Sequence, residues 1–513
     1  MASSSSTTVE LQAMSSLRSP SPPKDNITTP AAAGRTLRNG GRSSSGTSSA
    51  KSRSSHDGVH PPASGNAGVW QQDMTALPGP TTAAEPLQKW NSPRSNIARV
   101  GSCFWSFVVM GSNDAAYGPL IPYIQEYYGL DYTIVSLIFL SPFVGYTAAA
   151  LTNNMIHLKF GQRGVAILTG VAHITAYIII ATHPPYPVLV LAFVLAGLGN
   201  GLADAAWNAW IGNMANANEV LGLLHGLYGL GAVLAPLIAT TLITKARVGW
   251  WYYYYIMIGL AALELFSATF TFWSATGEVY RASLATHGEN EAEAHAAEPT
   301  TIDQSAPTQQ QQKQKTGGLR TALLYRPGAR VTWLCAIFLL GYVGIEVALG
   351  GWIVEFMIQV RQGEAFASGM AAMGFWLGIT VGRVVLGFVT PRLGERLAIT
   401  IYLPTAIGLQ ILFWLVPQFI VSTVAVGLVG FFLGPLFPAV MVVMSKLLPK
   451  SLHVSAIGFA AAFGGGGAAI LPFGVGALAQ ARGVQVLQPV IVALLAAILG
   501  LWLMLPRINK KVE

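Results

Sequence analysis

Long apolar runs with few charged residues dominate this sequence between about residue 100 and residue 505. A helix needs about 20 predominantly apolar residues to cross the hydrocarbon core of a bilayer. Runs of that kind lie near 101–125, 133–154, 164–183, 187–211, 219–243, 251–273, 331–357, 367–389, 397–416, 419–445, 454–480 and 485–505. Only 10% of all residues are charged, against about 25% in an average soluble domain. The sequence therefore predicts an all-α membrane protein with twelve transmembrane helices.

The apolar runs form two sets of six, separated by a polar segment. This segment holds a group of acidic residues and a glutamine run: Glu289, Glu291, Glu293, Glu298, Asp303 and Gln309–Gln312. Such a composition cannot bury enough apolar surface to fold alone, so we expect a flexible linker. The predicted parts are a disordered tail (1–98), a six-helix half (99–274), the linker (275–328), a second six-helix half (329–506) and a short tail (507–513).

The formal net charge of +8 comes mostly from basic residues in the tails and in short loops between the apolar runs. Cytoplasmic loops of membrane proteins carry an excess of Lys and Arg. The loops on one side hold Lys159, Arg163, Arg320, Arg326, Arg392, Arg396, Lys446 and Lys450, and those on the other hold Lys245, Arg247, Arg361 and Arg482. We expect both termini in the cytoplasm of a multi-pass, monomeric plasma-membrane protein. Its partner is the lipid bilayer, and no nucleic-acid partner is needed to explain the basic charge.

The sequence holds no pattern of metal ligands or of catalytic residues. The two cysteines, Cys103 and Cys335, each lie inside an apolar run and belong to no CxxC pair or Cys/His cluster. No HExxH, GxSxG or phosphate-binding glycine loop occurs. We therefore expect no metal, no cofactor and no enzymatic activity, and we expect both cysteines to be small buried side chains.

Ionisable residues inside the apolar runs are more informative, because a charge is costly to place in a bilayer. Three acids stand out, Asp114 in run one, Asp204 in run four and Glu346 in run seven. Each has hydrogen-bonding and aromatic neighbours at helical spacing: Asn113 and Tyr117, then Trp207 and Asn208, then Tyr342. Carboxylates and amides bind hydroxyl groups, and flat rings cover apolar faces. The three clusters therefore predict a site for a polyhydroxylated solute.

The remaining ionisable residues of the runs favour structural roles. Arg383 lies near one end of its run, where an arginine can reach headgroups or a helix end. Glu264 has no polar residue at helical spacing except Ser267, and His173 is expected to be a satisfied contact between helices. Asp204 forms a structural pair with His225 of the next run in one interpretation, and in another the same pair relays protons, since histidine titrates near neutrality.

Two loops at equivalent places in the halves share a basic-x-Gly-x-Arg pattern. The copies are Lys159-Phe160-Gly161-Gln162-Arg163 and Arg392-Leu393-Gly394-Glu395-Arg396. Each short turn needs its glycine, and the cations pair with nearby helix ends. The pattern resembles the loop signature of the major facilitator superfamily, although both copies lack its aspartate and carry Leu158 and Pro391 instead.

Four stretches resemble the fucose:proton symporter-like branch of that superfamily, especially its fungal members. They are Gly111–Pro119, Gly197–Asn208 continuing through His225–Gly231, Gly341–Trp352, and Gly434–Pro438 with Gly464–Gly467. The resemblance implies a major facilitator fold and proton-coupled transport of a small solute such as a sugar. By residue type and span it implies that Asp114 and Asp204 couple protons, with His225 beside them. Tyr228, inside the second stretch, joins the predicted substrate-binding residues.

Two other functions remain open from the sequence. The same scaffold can export an amphipathic metabolite or a drug, and it can serve as a membrane sensor that no longer transports. A membrane enzyme explains neither the two matched halves nor the linker between them.

Overall fold

The computed structural model describes residues 88–215, 217–283, 322–324 and 328–506. Most of the predicted N-terminal tail and linker, and all of the predicted C-terminal tail, lie outside these residues. Apart from one isolated bridge between Lys89 and Ser92, the described residues contain helices, turns and no strand.

Helices account for nearly all of the described chain. The first half holds α1 (Ser95–Tyr128), α2 (Tyr132–Val135), α3 (Leu137–Ala181), α4 (Tyr186–Gly212), α5 (Ala217–Thr244) and α6 (Tyr252–Thr271). The second half holds α7 (Gly328–Gln359), α8 (Ala365–Leu393), α9 (Glu395–Leu415), α10 (Phe419–Leu433), α11 (Leu436–Leu447), α12 (Lys450–Arg482), a 3-10 turn (Val484–Val486) and α13 (Leu487–Leu503).

Ten helices of the described chain are long and apolar enough to cross a membrane. One of them, Tyr132–Ala181, is broken at Gly161 and crosses twice. α1 adds a further crossing, since its 34 residues span roughly 50 Å at 1.5 Å per residue. The predicted all-α membrane fold of twelve crossings in two six-helix halves is thus confirmed.

The two loops with the shared glycine pattern have the backbone that the pattern predicts. Gly161 has φ +70° and Gly394 has φ +82°, a region that side chains with a Cβ rarely adopt. A Cβ on Gly161 would also lie 2.3 Å from the carbonyl oxygen of Ala275. That carbonyl accepts the backbone N–H of Arg163 at 3.0 Å, so the glycine lets the chain after α6 dock onto this turn.

A break also divides the tenth crossing. α10 ends at Leu433 and α11 begins at Leu436, because Pro435 has no N–H to continue the helix ladder. Gly434 at the break packs closely on α8, where a Cβ would meet the carbonyl oxygen of Ile379 at 2.5 Å. Pro438, four residues after Gly434, has no N–H either, so the Gly434 carbonyl has no helical partner and is available to a side chain of α8.

Close backbone approaches join the two halves near their centre. A Cβ on Gly118 of α1 would lie 2.2 Å from the carbonyl oxygen of Gly350 of α7. A Cβ on Gly229 of α5 would lie 2.6 Å from the hydroxyl of Thr380 of α8. Small residues permit such contacts between membrane helices, where lipid supplies no hydrophobic drive for association.

Among the described residues, the hydrogen bonds between the two halves lie on one face. We call the face where α1 begins and α13 ends the terminal face, and the opposite face the far face. On the far face Tyr132 donates its hydroxyl to Oε1 of Glu355 at 2.9 Å and its backbone N–H to Oε1 of Gln480 at 2.9 Å. Within the described residues these are the hydrogen bonds between the halves. The structure is therefore closed at the far face.

Candidate functional site

Asp114 lies in the middle of the bundle and accepts three hydrogen bonds from neutral donors. Asn113 of α1 and Asn200 of α4 donate their amides to Oδ1 at 3.0 and 2.9 Å. Tyr228 of α5 donates its hydroxyl to Oδ2 at 3.0 Å. Asn113 also donates to the hydroxyl of Tyr117 at 2.8 Å, as their four-residue spacing on one helix predicts. No cation bonds directly to this carboxylate among the described residues.

A second polar group leads from Asp114 towards the terminal face. Asn208 donates to Oδ1 of Asp204 at 2.7 Å, and its own Oδ1 faces Nε2 of His225 at 3.2 Å. Asp204 and His225 do not bond to each other directly, since the Asn208 amide bridges the two. Both roles expected for them, a structural pair and a proton relay, stay predictions. His225 is exposed, Asp204 is half-buried, and the two aspartates are close enough to interact electrostatically.

Trp207 occupies the core of the first half. Its ring stacks on Phe272, with centroids 4.7 Å apart and planes at 19°, and the residue is 1% exposed. The packing leaves no face of the ring open to a solute in this conformation. A binding role for Trp207 stays a prediction that would require movement of α4 or of Phe272.

The second half contributes an ion pair. Nη2 of Arg383 on α8 lies 2.8 Å from Oε1 of Glu346 on α7, and Nε donates to the carbonyl of Gly434 at 3.3 Å. Of the two partners expected for Arg383, headgroups or a helix end, the structure shows the second, because the break after α10 offers a helix end inside the bundle. Tyr342 is fully buried one turn from Glu346 and interacts electrostatically with the pair.

Tyr228 lies between the two halves of the site. It bonds to Asp114, and it interacts electrostatically with both Glu346 and Arg383. The next residue, Gly229, is the one that packs against α8. The close approach of α5 and α8 therefore brings the two charged clusters together at the centre of the bundle.

Sequence reasoning missed three members of this site. Asn200 was not singled out, and His173 and Glu264 were given structural roles, yet all three lie in one buried network with Asp114. His173 Nε2 is 3.0 Å from Oδ1 of Asn200, and His173 Nδ1 is 2.7 Å from Oε2 of Glu264. The signal that could have found them is the cost of burying ionisable groups in a bilayer, which implies partners for each.

Several buried polar atoms around the centre have no hydrogen-bond partner among the described residues. They include Oδ1 of Asn113, the hydroxyl of Tyr342 and Nε1 of Trp376. Trp376 packs against Gly350, which itself meets Gly118 of the first half. Unsatisfied buried polar groups are costly, so these atoms offer hydrogen bonds to a polar solute.

Both cysteines are buried free thiols, as predicted. No group of three or more His, Cys, Asp or Glu side chains that could hold a metal ion occurs in the part of the chain that the structure describes.

Known proteins resemble this chain over most of its length. The profile of the Major Facilitator Superfamily matches residues 103–472. The chain is 30% identical over 425 residues to Bypass of stop codon protein 6 of Saccharomyces cerevisiae, covering 80% of this chain and 83% of that one. It is 23% identical over 373 residues to the glucose/mannose transporter GlcP of Bacillus subtilis, covering 72% and 85%. The crystal structure of a D-xylose-proton symporter superposes with a TM-score of 0.62 at 13% identity, covering 81% of this chain and 99% of that one.

Proposed function

The chain belongs to the Major Facilitator Superfamily of membrane transporters, and we propose that it moves a small neutral polyhydroxylated solute, such as a sugar, together with protons. The observation that carries this proposal is the environment of Asp114. Its carboxylate sits at the centre of the bundle and is held by three neutral donors. Transport proceeds by alternating access, in which the halves rock around this centre.

A carboxylate held by neutral donors can gain and lose a proton without leaving a buried cation unpaired. A charge in the bilayer is costly, and enclosing a solute removes water from around Asp114. Protonation of Asp114 and binding of the solute therefore favour one another. Glu346 is different, since Arg383 holds it as a fixed ion pair. Asp114 is therefore the residue that couples protons to transport, with Asp204, Asn208 and exposed His225 leading towards it from the terminal face.

The side chains around Asp114 at the centre of the bundle are of the kinds that bind sugars. Carboxylate, amide and phenol groups surround it, and Asn113, Tyr342 and Trp376 keep atoms free for hydroxyls. Buried aromatic rings, including Tyr117 and Trp376, supply apolar surface for the carbon faces of a sugar ring. The names of the bacterial relative and of the solved symporter, which mention glucose, mannose and D-xylose, are in keeping with this choice.

The placement of basic residues supports an orientation with the terminal face in the cytoplasm. Arg163 lies two residues after the break at Gly161, and Arg396 and Lys446 lie in the end turns of α9 and α11, all on that face. With that orientation the closed far face is extracellular and the conformation faces inward, in keeping with the proposal of a monomer in the plasma membrane.

Uptake by proteoliposomes tests the function directly. We expect purified protein to accumulate labelled D-glucose or D-xylose when the outside is acidic, and a proton ionophore to abolish accumulation. Asp114→Asn should lose accumulation by a factor of ten or more while keeping solute exchange at equal pH, because the amide cannot carry the proton. Glu126→Gln is the matched control, since Glu126 lies on the same helix and is exposed.

Two results would overturn this assignment. Gradient-driven accumulation that survives unchanged in Asp114→Asn would remove Asp114 from coupling. A protein that expels amphipathic compounds and ignores all sugars tested would instead support export.

A further inference from the structure

A buried chain of hydrogen bonds runs from Asp114 into the first half, away from the second half. Asn200 bonds to Asp114, His173 bonds to Asn200, and Glu264 bonds to His173. Ser106 of α1 closes the chain by donating its hydroxyl to the other oxygen of Glu264. His173 and Asn200 are 0% exposed, and Ser106 and Glu264 are 1% exposed. The chain connects α1, α3, α4 and α6, and neither the predicted site nor the coupling role of Asp114 uses its inner members.

The donor and acceptor roles along this chain are fixed from the Asp114 end. The Asn200 amide nitrogen donates to Oδ1 of Asp114, so its oxygen must accept from His173. Nε2 of His173 therefore carries a hydrogen. On the other side of the ring, Nδ1 and Oε2 of Glu264 hold one proton between them at 2.7 Å. Whichever atom carries it, the His173–Glu264 pair has no net charge, which suits its complete burial.

Gly199 makes room for this arrangement. A Cβ at position 199 would lie 2.4 Å from Cδ2 and 2.5 Å from Nε2 of His173. The ring therefore lies directly against the α4 backbone, and its Nε2 reaches the side chain of the next residue, Asn200. Even one methyl group at this position would push the ring away from the Asn200 amide.

The alternative arrangement of the same groups needs a different proton position. If Asn200 rotated its amide, its oxygen would face Asp114 and its nitrogen would face Nε2 of His173. Two acceptors would then meet at Asp114 unless that carboxyl were protonated, and Nε2 would have to give up its hydrogen. One proton thus leaves His173 as one proton is gained at Asp114, and the total charge of the network is unchanged.

Other titratable groups surround the pair and must be counted. Tyr117 from α1, Tyr177 from α3 and Tyr254 from α6 surround the pair. Around Asp114 itself lie also Tyr146 from α3, Asp204 from α4 and Tyr228 from α5, which in turn faces Glu346 and Arg383. None of the tyrosines ionises near neutral pH in an apolar environment. Asp114, Asp204 and His173 are therefore the groups to be told apart in a titration.

We propose that His173 and Glu264 are positioning residues for the coupling carboxylate: the pair holds the Asn200 amide in its donating orientation and so sets the pH at which Asp114 takes up its proton. This inference rests on the proposed coupling role of Asp114. Removing the pair frees Asn200 to rotate and accept a hydrogen bond from protonated Asp114. Asp114 should then take up its proton at a higher pH. A hydrogen bond to a charged group contributes about 1.5–3 kcal/mol, and 1.36 kcal/mol corresponds to one pH unit, so we expect a rise of about one to two units.

Infrared titration of the purified protein measures the pH at which Asp114 takes up its proton, and it needs no transported solute. The carboxylic acid band that disappears in Asp114→Asn reports the protonation of Asp114. In the double variant His173→Leu with Glu264→Leu we expect the midpoint of this band to rise by about one to two pH units. Replacing a buried ion pair by apolar residues is often neutral for stability, so this variant is expected to fold.

Three further variants distinguish a positioning role of His173 and Glu264 from a general disturbance of the fold. Glu264→Gln keeps a donor facing Nδ1, so Nε2 keeps its hydrogen and the midpoint should shift much less than in the double variant. Gly199→Ala displaces the ring without removing a charge and should raise the midpoint in the same direction. The control is Gln410→Leu with Gln488→Leu, since these buried amides pair at 2.6 Å between α9 and α13 of the second half and should leave the midpoint unchanged.

Measurements of uptake then test whether the positioning of Asp114 affects transport. The pH of half-maximal gradient-driven D-glucose uptake should rise together with the infrared midpoint. A double variant with the midpoint of the unmodified protein, or with a shift no larger than that of the Gln410/Gln488 control, overturns the inference. Absence of any proton-driven uptake in the unmodified protein would instead count against the proposed function, while the infrared midpoints would still decide the positioning role.

Discussion

The two halves hold their central acids in different ways. Asp114 of the first half accepts hydrogen bonds from two amides and a phenol, and a neutral buried pair stands behind one of those amides. Glu346 of the second half bonds directly to the guanidinium of Arg383. Neutral donors tolerate a change in the charge of their acceptor, whereas a fixed cation does not. This contrast supports the proposal that the first half changes its protonation state while the second half keeps its charges constant.

Removing the cation of the second half should have the largest effect. Arg383→Met leaves Glu346 buried without its partner, and breaking a buried pair in this way costs about 3–5 kcal/mol. We expect a clear fall in the melting temperature in detergent and loss of transport. Adding Glu346→Met should restore thermal stability but not transport, because the site still lacks its charged groups.

Lys446→Met is the matched control for that experiment. Lys446 pairs with Glu395 at 3.0 Å in the same half, but its side chain is 44% exposed, so its loss should cost less than about 1 kcal/mol. If Arg383→Met were as stable as this control, the second half would not depend on its central ion pair.

Removing one neutral donor of the first half should have an intermediate effect. Tyr228→Phe deletes the hydroxyl that bonds to Oδ2 of Asp114 but leaves the ring that packs between the halves. The loss of one hydrogen bond to a charged group predicts about a tenfold fall in the initial rate of proton-driven uptake. The melting temperature should change little, in contrast to Arg383→Met.

Tyr177→Phe is the control for the Tyr228 prediction. Tyr177 is fully buried in the same half, and its hydroxyl has no hydrogen-bond partner among the described residues. Its uptake should match that of the unmodified protein. Equal uptake by both phenylalanine variants would show that Asp114 does not need its third donor.

The smallest effect should come from the contact that joins the halves at the far face. Tyr132→Phe removes the hydroxyl bond to Glu355. Because Tyr132 is only half-buried, water can replace part of this bond, and its loss should cost about 0.5–1.5 kcal/mol. The population of the far-face-closed state should fall by about two- to tenfold relative to the open state. Distances between spin labels at positions 134 and 359, one in each half, measure this, because native Cys103 and Cys335 are buried and should not be labelled.

Tyr127→Phe is the control for the closure experiment. Tyr127 bonds to His183 at the same face, but both residues belong to the first half. Its distance distribution should match that of the unmodified protein. A matching distribution in Tyr132→Phe as well would mean that the far face stays closed without the hydroxyl bond to Glu355.

Contacts within one helix could be predicted from the sequence. Asn113 and Tyr117, and likewise Asp204 and Asn208, are four residues apart and do bond to each other. The same reasoning placed Trp207 beside Asp204, but periodicity alone does not say which neighbouring helix covers a side chain. In the structure Phe272, after the end of α6, covers the ring.

Contacts between helices could not be predicted in this way. Asn200 has no unusual neighbours in its own helix, and Glu264 has only Ser267 at helical spacing. Their roles arise because Gly199 lets α3 and α4 approach closely, and because α6 places Glu264 opposite His173. The sequence also left open which of its two expected partners Arg383 meets, since the break after α10 creates a helix end inside the bundle that no pattern around Arg383 reveals.

The sequence by itself determined the membrane class, the twelve crossings, the two halves and the glycine turns between paired helices. These features follow from local properties, namely the length of apolar runs, the scarcity of charge and the backbone freedom of glycine. Only the tertiary structure decided which buried charges are partners. Polar groups that are buried in a bilayer need hydrogen-bond partners. Because all of these helices are strongly apolar, hydropathy does not reveal the partner, which depends on which helices pack together. That selection made a fixed ion pair of Glu346 and Arg383, and surrounded Asp114 with neutral donors.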